Sequence, residues 1–211
     1  MVEVIPAILA KTEDEFRTKI EAVRPLGQRV QIDVIDGRFV ENATWSPISE
    51  VVTLLRGLPF EVHLMVSDPE HAAPLWVAAG AESAYVHAEA THRELLINRA
   101  MGRDDGHIGI AINPETPVNR IVPDLPRLKR VLVMGVSPGW SGQAFQEIAV
   151  EKVRAIRDLE PTVTITVDGG ITPENAPRLA EAGADILVAG SALTDHWNPL
   201  EAYEEFQRAL R

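Results

Sequence analysis

The feature that most constrains this chain is an alternation. Short apolar, β-branched runs recur eight times, each followed by a stretch with helical spacing. The runs cover residues 2–7, 30–34, 60–66, 84–87, 108–112, 131–136, 163–167 and 186–189. Proline at a first helical position needs no N–H, so a capping residue followed by proline marks a helix start. Ser46-Pro47, Asp68-Pro69, Thr116-Pro117, Thr172-Pro173 and Asn198-Pro199 are such pairs. Thr12 with Glu15 and Thr91 with Glu94 read as capping boxes, and only the segment near Gln146 lacks a clear cap. Eight units in 211 residues are about 26 residues each, which predicts an α/β fold of the (β/α)8 barrel type. An open doubly wound sheet would need a G-x-G-x-x-G turn after an early strand, and the turns after Ala7 and Val34 carry none. No linker, composition break or repeat beyond the βα alternation divides the chain, so the expectation is a single barrel domain over residues 1–211.

Composition narrows the partners. With 31 acidic against 20 basic residues the formal charge is -11, a field that repels nucleic-acid phosphates and anionic membranes but leaves room for a small anion at a local site. The absence of cysteine removes disulfides, thiolate zinc sites and cysteine nucleophiles, and fits a reducing compartment. No basic leader precedes the first apolar stretch, and no window reaches the roughly 18 continuous apolar residues of a spanning helix. The expectation is a cytoplasmic protein with no nucleic-acid and no membrane partner.

Strand parity selects the candidate residues. Alternate residues of a strand share a face, which groups Gln31 with Asp33, Glu61 with His63 and Met65, and Thr164 with Thr166 and Asp168. Barrel strands are buried on both faces, so an ionised carboxylate on one must be paired, hydrogen-bonded or metal-bound. A strand-end aspartate taken singly more often caps the next helix. Asp33, His63 and Asp168 together, however, converge on the C-terminal strand ends where barrel active sites lie. His87 reads as a satisfied buried histidine, and His71, His92, His107 and His196 as surface residues. Glycines cluster late, after the sixth, seventh and eighth runs, where bare backbone N–H groups can approach a phosphate.

The motifs Val30-Gln-Ile-Asp-Val-Ile-Asp-Gly-Arg-Phe39, Glu61-Val-His-Leu-Met65, Val86-His-Ala-Glu-Ala-Thr91, Asn113-Pro-Glu-Thr-Pro117, Val136-Ser-Pro-Gly-Trp-Ser-Gly-Gln143, Val167-Asp-Gly-Gly170 and Ala189-Gly-Ser191 carry a family resemblance. In order and spacing, from Pro6 to Ser191, they resemble the motif set of ribulose-phosphate 3-epimerases. The resemblance implies interconversion of D-ribulose 5-phosphate and D-xylulose 5-phosphate, a ketose phosphate as partner, and a homo-oligomer. It assigns acid–base roles to Asp33 and Asp168, and substrate or phosphate contacts to His63, Met65, Met134, Gly142, Gly170, Gly190 and Ser191. It also implies a divalent metal (Zn, Mn or Mg) held by Asp33, His63 and Asp168.

The chain departs from that pattern at three places. Gln31 stands where the family has a metal-binding histidine, Ala7 where it has a serine, and Ile35 where it has a methionine. A neutral amide oxygen suits zinc poorly, so the metal site is expected to be weakened or absent. These departures support two alternatives: a non-catalytic sugar-phosphate-binding paralogue, and an epimerase for another ketose phosphate. Decarboxylase or aldol chemistry would want Asp-x-Lys on the second strand, where residue 35 is isoleucine.

Overall fold

The computed structural model describes residues 2–90 and 106–211. Its strands are β1 Glu3–Ile8, β2 Val30–Ile35, β3 Phe60–Met65, β4 Ala84–His87, β5 Ile108–Ile112, β6 Arg130–Met134, β7 Thr164–Asp168 and β8 Ile186–Ala189. All neighbours are parallel and the sheet closes in chain order, β8 pairing with β1. This is the (β/α)8 barrel that the alternation predicts.

The helices are α1 Glu13–Val23, α2 Ile48–Leu55, α3 Pro69–Ala78, α4 Ile148–Leu159, α5 Ala176–Ala182, α6 Ser191–Thr194 and α7 Pro199–Ala209. Thr12 caps α1 by accepting the Glu15 N–H at 3.2 Å, while Glu15 reaches back one residue beyond the expected box, to the Lys11 N–H at 2.8 Å. Pro69 and Pro199 each open a helix, and Asn198 caps the latter through the Glu201 N–H. Other start signals are corrected. Asp68 makes no side-chain cap and instead meets His71 at 2.8 Å. Pro47 is itself the residue preceding α2, and α5 starts at Ala176, three residues after Pro173. Thr116-Pro117 begins no α-helix: Val118–Arg120 and Leu125–Arg127 are 3-10 turns, because Pro123 and Pro126 interrupt the i to i−4 ladder. The Thr91 and Glu94 box and His92 lie outside the described residues. Among the described residues no helix is long and apolar enough to cross a membrane.

Parity divides each strand between two environments. The outward residues Val30, Ile32 and Val34 pack with Phe16 and Ile20 of α1 and Val51 and Leu55 of α2. Across the barrel, Val131, Val133, Ile165 and Val167 pack with Val153 and Ile156 of α4 and Leu179 of α5. Each such side chain contributes roughly 1.5–3 kcal/mol by leaving water. The inward residues are more polar. Tyr85 on β4 and Thr166 on β7 join hydroxyls at 2.8 Å through the middle of the barrel, plugging it beneath the C-terminal mouth.

Below that plug sits Glu61, fully buried, with Ser83 donating to it at 3.3 Å and the Arg29 guanidinium 3.4 Å away. Arg29 also pairs with Glu3 at 2.8 Å and Glu82 at 3.1 Å. Burial outweighs the Arg29 and Arg130 charges and pushes Glu61 from its ordinary 4.5 up to about 7. The unfolded chain therefore releases this proton at lower pH than the folded one, and stability is lost as pH rises from 4.5 to about 7. Urea unfolding over this window should show a loss on the order of 3 kcal/mol attributable to Glu61, and Glu61→Gln should flatten the slope. Equal slopes for the two proteins would show that Glu61 ionises freely in the folded barrel.

Candidate active site

Closure and register decide which side chains meet at the C-terminal mouth. Asp33 of β2 is the register partner of His63 of β3, and Met134 of β6 is that of Asp168 of β7. These four line a cavity of about 500 Å³ together with Met65, Gly142, Gly170, Gly190 and Ser191. Every residue that parity, the glycine clusters and the motifs nominated for the site thus borders one space. None of His71, His107 and His196 does.

The polar centre of this space is buried. Asp33 is 7% and Asp168 6% exposed, while Gln31 and His63 are fully buried. Gln31 Nε2 donates to both carboxylates, at 3.0 Å to Asp33 Oδ1 and 2.7 Å to Asp168 Oδ2. Its Oε1 is buried without a hydrogen-bond partner. The amide thus turns its nitrogen, not its oxygen, toward the pair. Sequence alone gives the residue but not this direction.

His63 Nδ1 lies 2.9 Å from Asp168 Oδ2 and 3.5 Å from Asp33 Oδ1, within ion-pairing distance but aligned as a hydrogen bond to neither. Burial opposes a charge on His63, yet the flanking Asp168 and Asp33 carboxylates lift its pKa to about 9. Burial, with the Asp168 charge adding to it, raises Asp33, while His63 and Gln31 pull it the other way. One ligand atom each from Asp33, His63 and Asp168 falls within 4.8 Å of the others. Two carboxylates and an imidazole are a donor set that suits a divalent cation, and the unpartnered His63 Nδ1 is an atom such an ion would satisfy.

Two residues of the Val86–Thr91 motif, to which the sequence analysis gives no site role, support the centre. His87, buried as expected, holds His63 directly, Nε2 to Nε2 at 2.8 Å. Its Nδ1 lies 3.3 Å from Glu89. Burial works against ionised Glu89, but hydrogen bonds from His87, the Thr116 hydroxyl and the Asn113 N–H hold it down at about 2. The signal for this link was the His-Ala-Glu spacing at the end of β4; no periodicity argument connects it to His63, which lies on another strand.

The rim is built from loops that brace one another. Asp36 accepts the N–H groups of Arg38, Phe39 and Ser67, tying the loop after β2 to the end of β3. Asn42 of the same loop donates to the Gly139 carbonyl at 2.6 Å. Lys11 sits 4.9 Å from the Trp140 ring centre. After β7, Gly169 and Gly170 have φ of 100° and 68°, and a Cβ at Gly169 would fall 2.5 Å from Val136. Only glycine combines that backbone with that closeness.

The comparisons with known proteins agree in direction. Residues 3–194 match the profile described as the Ribulose-phosphate 3 epimerase family. Ribulose-5-phosphate-3-epimerase, chloroplastic, of Arabidopsis thaliana is 39% identical, the match covering 99% of this chain and 77% of the relative. Ribulose-phosphate 3-epimerase of Bacillus subtilis is 36% identical, with 98% and 99% covered. Among solved structures, 3-hexulose-6-phosphate synthase from Salmonella typhimurium superposes with a TM-score of 0.74 at 14% identity, covering 99% of this chain and 98% of that one, a likeness of fold.

Proposed function

The chain belongs to the ribulose-phosphate 3-epimerase family, and from that membership and the site geometry we propose that it interconverts D-ribulose 5-phosphate and D-xylulose 5-phosphate with Asp33 and Asp168 as its acid–base pair. The observation that carries the assignment is the meeting of two buried carboxylates, from strands three places apart, on one Gln31 nitrogen beside a cavity. One carboxylate removes the C3 proton of the ketose. The C–H electron pair becomes the C2–C3 double bond, and the carbonyl π pair moves onto the C2 oxygen. The other group, as carboxylic acid, delivers a proton to the opposite face of C3 while the carbonyl re-forms. The pair then holds its proton on the other member. Raised by burial and by its neighbour's charge, Asp33 is the member suited to enter one direction of the reaction protonated.

Met65 and Met134 offer polarisable thioethers to the reacting carbons. Backbone N–H groups of Gly142, Gly170, Gly190 and Ser191 are assigned to the phosphate, a reading supported by their place on the rim of the same cavity. Asp33, His63 and Asp168 are the residues that would hold a divalent cation, which when bound supplies charge stabilisation to the enediolate oxygens. Gln31 weakens that site in this reading, because its oxygen faces the pair only if the amide turns over and surrenders both carboxylate hydrogen bonds. The enzyme is read as a cytoplasmic homo-oligomer acting on a small-molecule substrate; the acidic charge of -11 supports the absence of a nucleic-acid partner.

Asp33→Asn and Asp168→Asn should each lower turnover of ribulose 5-phosphate by roughly 10² to 10⁴, since shape is kept and proton transfer removed. Near-parent activity in both would remove the pair from the mechanism. A parent inactive on every ketose phosphate, yet binding them, would establish the non-catalytic alternative.

Zinc affinity tests the role of Gln31. Measured by competition with a chelating dye at a pH where free histidine is neutral, Gln31→His should bind zinc at least about tenfold more tightly than the parent, while manganese and magnesium change less. A parent that already binds zinc as tightly as the variant would mean that Gln31 is no deficit.

A further inference from the structure

Behind His63 a line of polar contacts runs from the buried His87 out to the partly exposed Glu89. His63 Nε2 is 2.8 Å from His87 Nε2, and His87 Nδ1 is 3.3 Å from Glu89 Oε2. The other Glu89 oxygen accepts the Asn113 N–H at 3.0 Å and the Thr116 hydroxyl. The loop carrying these donors is fastened in turn by the Lys152 ammonium, which donates to the carbonyls of Asn113, Pro114 and Thr116 at 2.6, 2.8 and 2.6 Å. Phe39 packs on the His87 ring, centroids 4.7 Å apart, so the two histidines sit in a water-poor setting.

Two imidazole nitrogens at 2.8 Å require one hydrogen between them, and the far end of the line decides whose it is. An ionised carboxylate can only accept, so His87 carries its hydrogen on Nδ1, facing Glu89. The neutral His87 ring then offers Nε2 as an acceptor, and the bridging hydrogen belongs to His63 Nε2. Whether His63 is charged or neutral, Nε2 keeps that hydrogen. Nδ1 is left as the nitrogen that works toward Asp33 and Asp168.

We propose that Glu89 is a positioning residue for the active site: acting through His87, it fixes the ring orientation and hydrogen placement of His63 so that Nδ1 faces the carboxylate pair. A carboxylate that orients a functional histidine is a general device in polar sites, and here a second histidine lengthens it by one ring. Packing alone would be served by any side chain of the right volume at 89. Anchoring one oxygen by two donors and aiming the other at His87 is needed only if direction matters. The catalytic consequence rests on the epimerase reading, whereas the hydrogen placement does not.

The test separates these two parts. In 15N-histidine-labelled parent protein, one-bond 1H–15N couplings report which nitrogens bear hydrogen, and the expected pattern is hydrogen on His63 Nε2 and His87 Nδ1 with none on His87 Nε2. Finding the bridging hydrogen on His87 Nε2 overturns the proposal, and this measurement needs no variant to fold. Glu89→Ala should then lose the His87 Nδ1 pattern, disturb the His63 resonances, and lower kcat on ribulose 5-phosphate about 10- to 100-fold with KM little changed. Unaltered His63 resonances and kcat in a folded Glu89→Ala protein also overturn it. If the parent shows the expected hydrogens but no turnover of any ketose phosphate, the epimerase reading fails while the positioning of His63 stands.

Discussion

Pairing of β8 with β1 is the constraint on which the rest of the molecule depends. A parallel sheet with open edges would leave rows of backbone donors and acceptors unmet, and closure removes both edges at once. It also folds the two ends of the sequence into one neighbourhood. Gln31 reaches an aspartate 137 residues further along the chain, a contact impossible without the β7–β8–β1–β2 arc between them. The apolar outer face holds the helices and makes that arc stiff enough to present two carboxylates to a single amide nitrogen.

Inside the ring the balance of forces is different. Buried acidic groups are tolerated because each has partners: Gln31 and His63 for the aspartates at the mouth, Arg29 and Ser83 for the fully buried Glu61 below. The two ends resolve the conflict in separate ways. At the mouth, burial and the Asp168 charge raise Asp33 while His63 and Gln31 pull it down. At the base, the three acidic partners of Arg29 tie β1, β2, β3 and the segment before β4 together.

Much of this was legible in the sequence because it follows from period-two burial. The β-branched runs located each strand to within two residues, and parity on those strands selected Asp33, His63 and Asp168 without reference to any neighbour. Helix starts were less legible. A cap-and-proline pair signals a turn as readily as a helix, and between Thr116 and Arg127 later prolines settled the outcome as 3-10 turns. Hydrogen-bond direction was not legible at all. That Gln31 presents its nitrogen, or that His87 holds His63 while Glu89 reaches across to Asn113, depends on register and loop closure rather than on spacing along one strand.

The Tyr85–Thr166 contact has a consequence for traffic through the molecule. By filling the barrel axis beneath the aspartates, it makes the catalytic end a blind alley, and whatever enters must back out past the same loops. A ligand seated over Asp33 and Asp168 therefore also stoppers them. If the two act as the acid–base pair proposed above, a proton they take up stays out of exchange with bulk water until the ligand departs, so an atom lifted from one molecule can be handed to the next only after an empty interval.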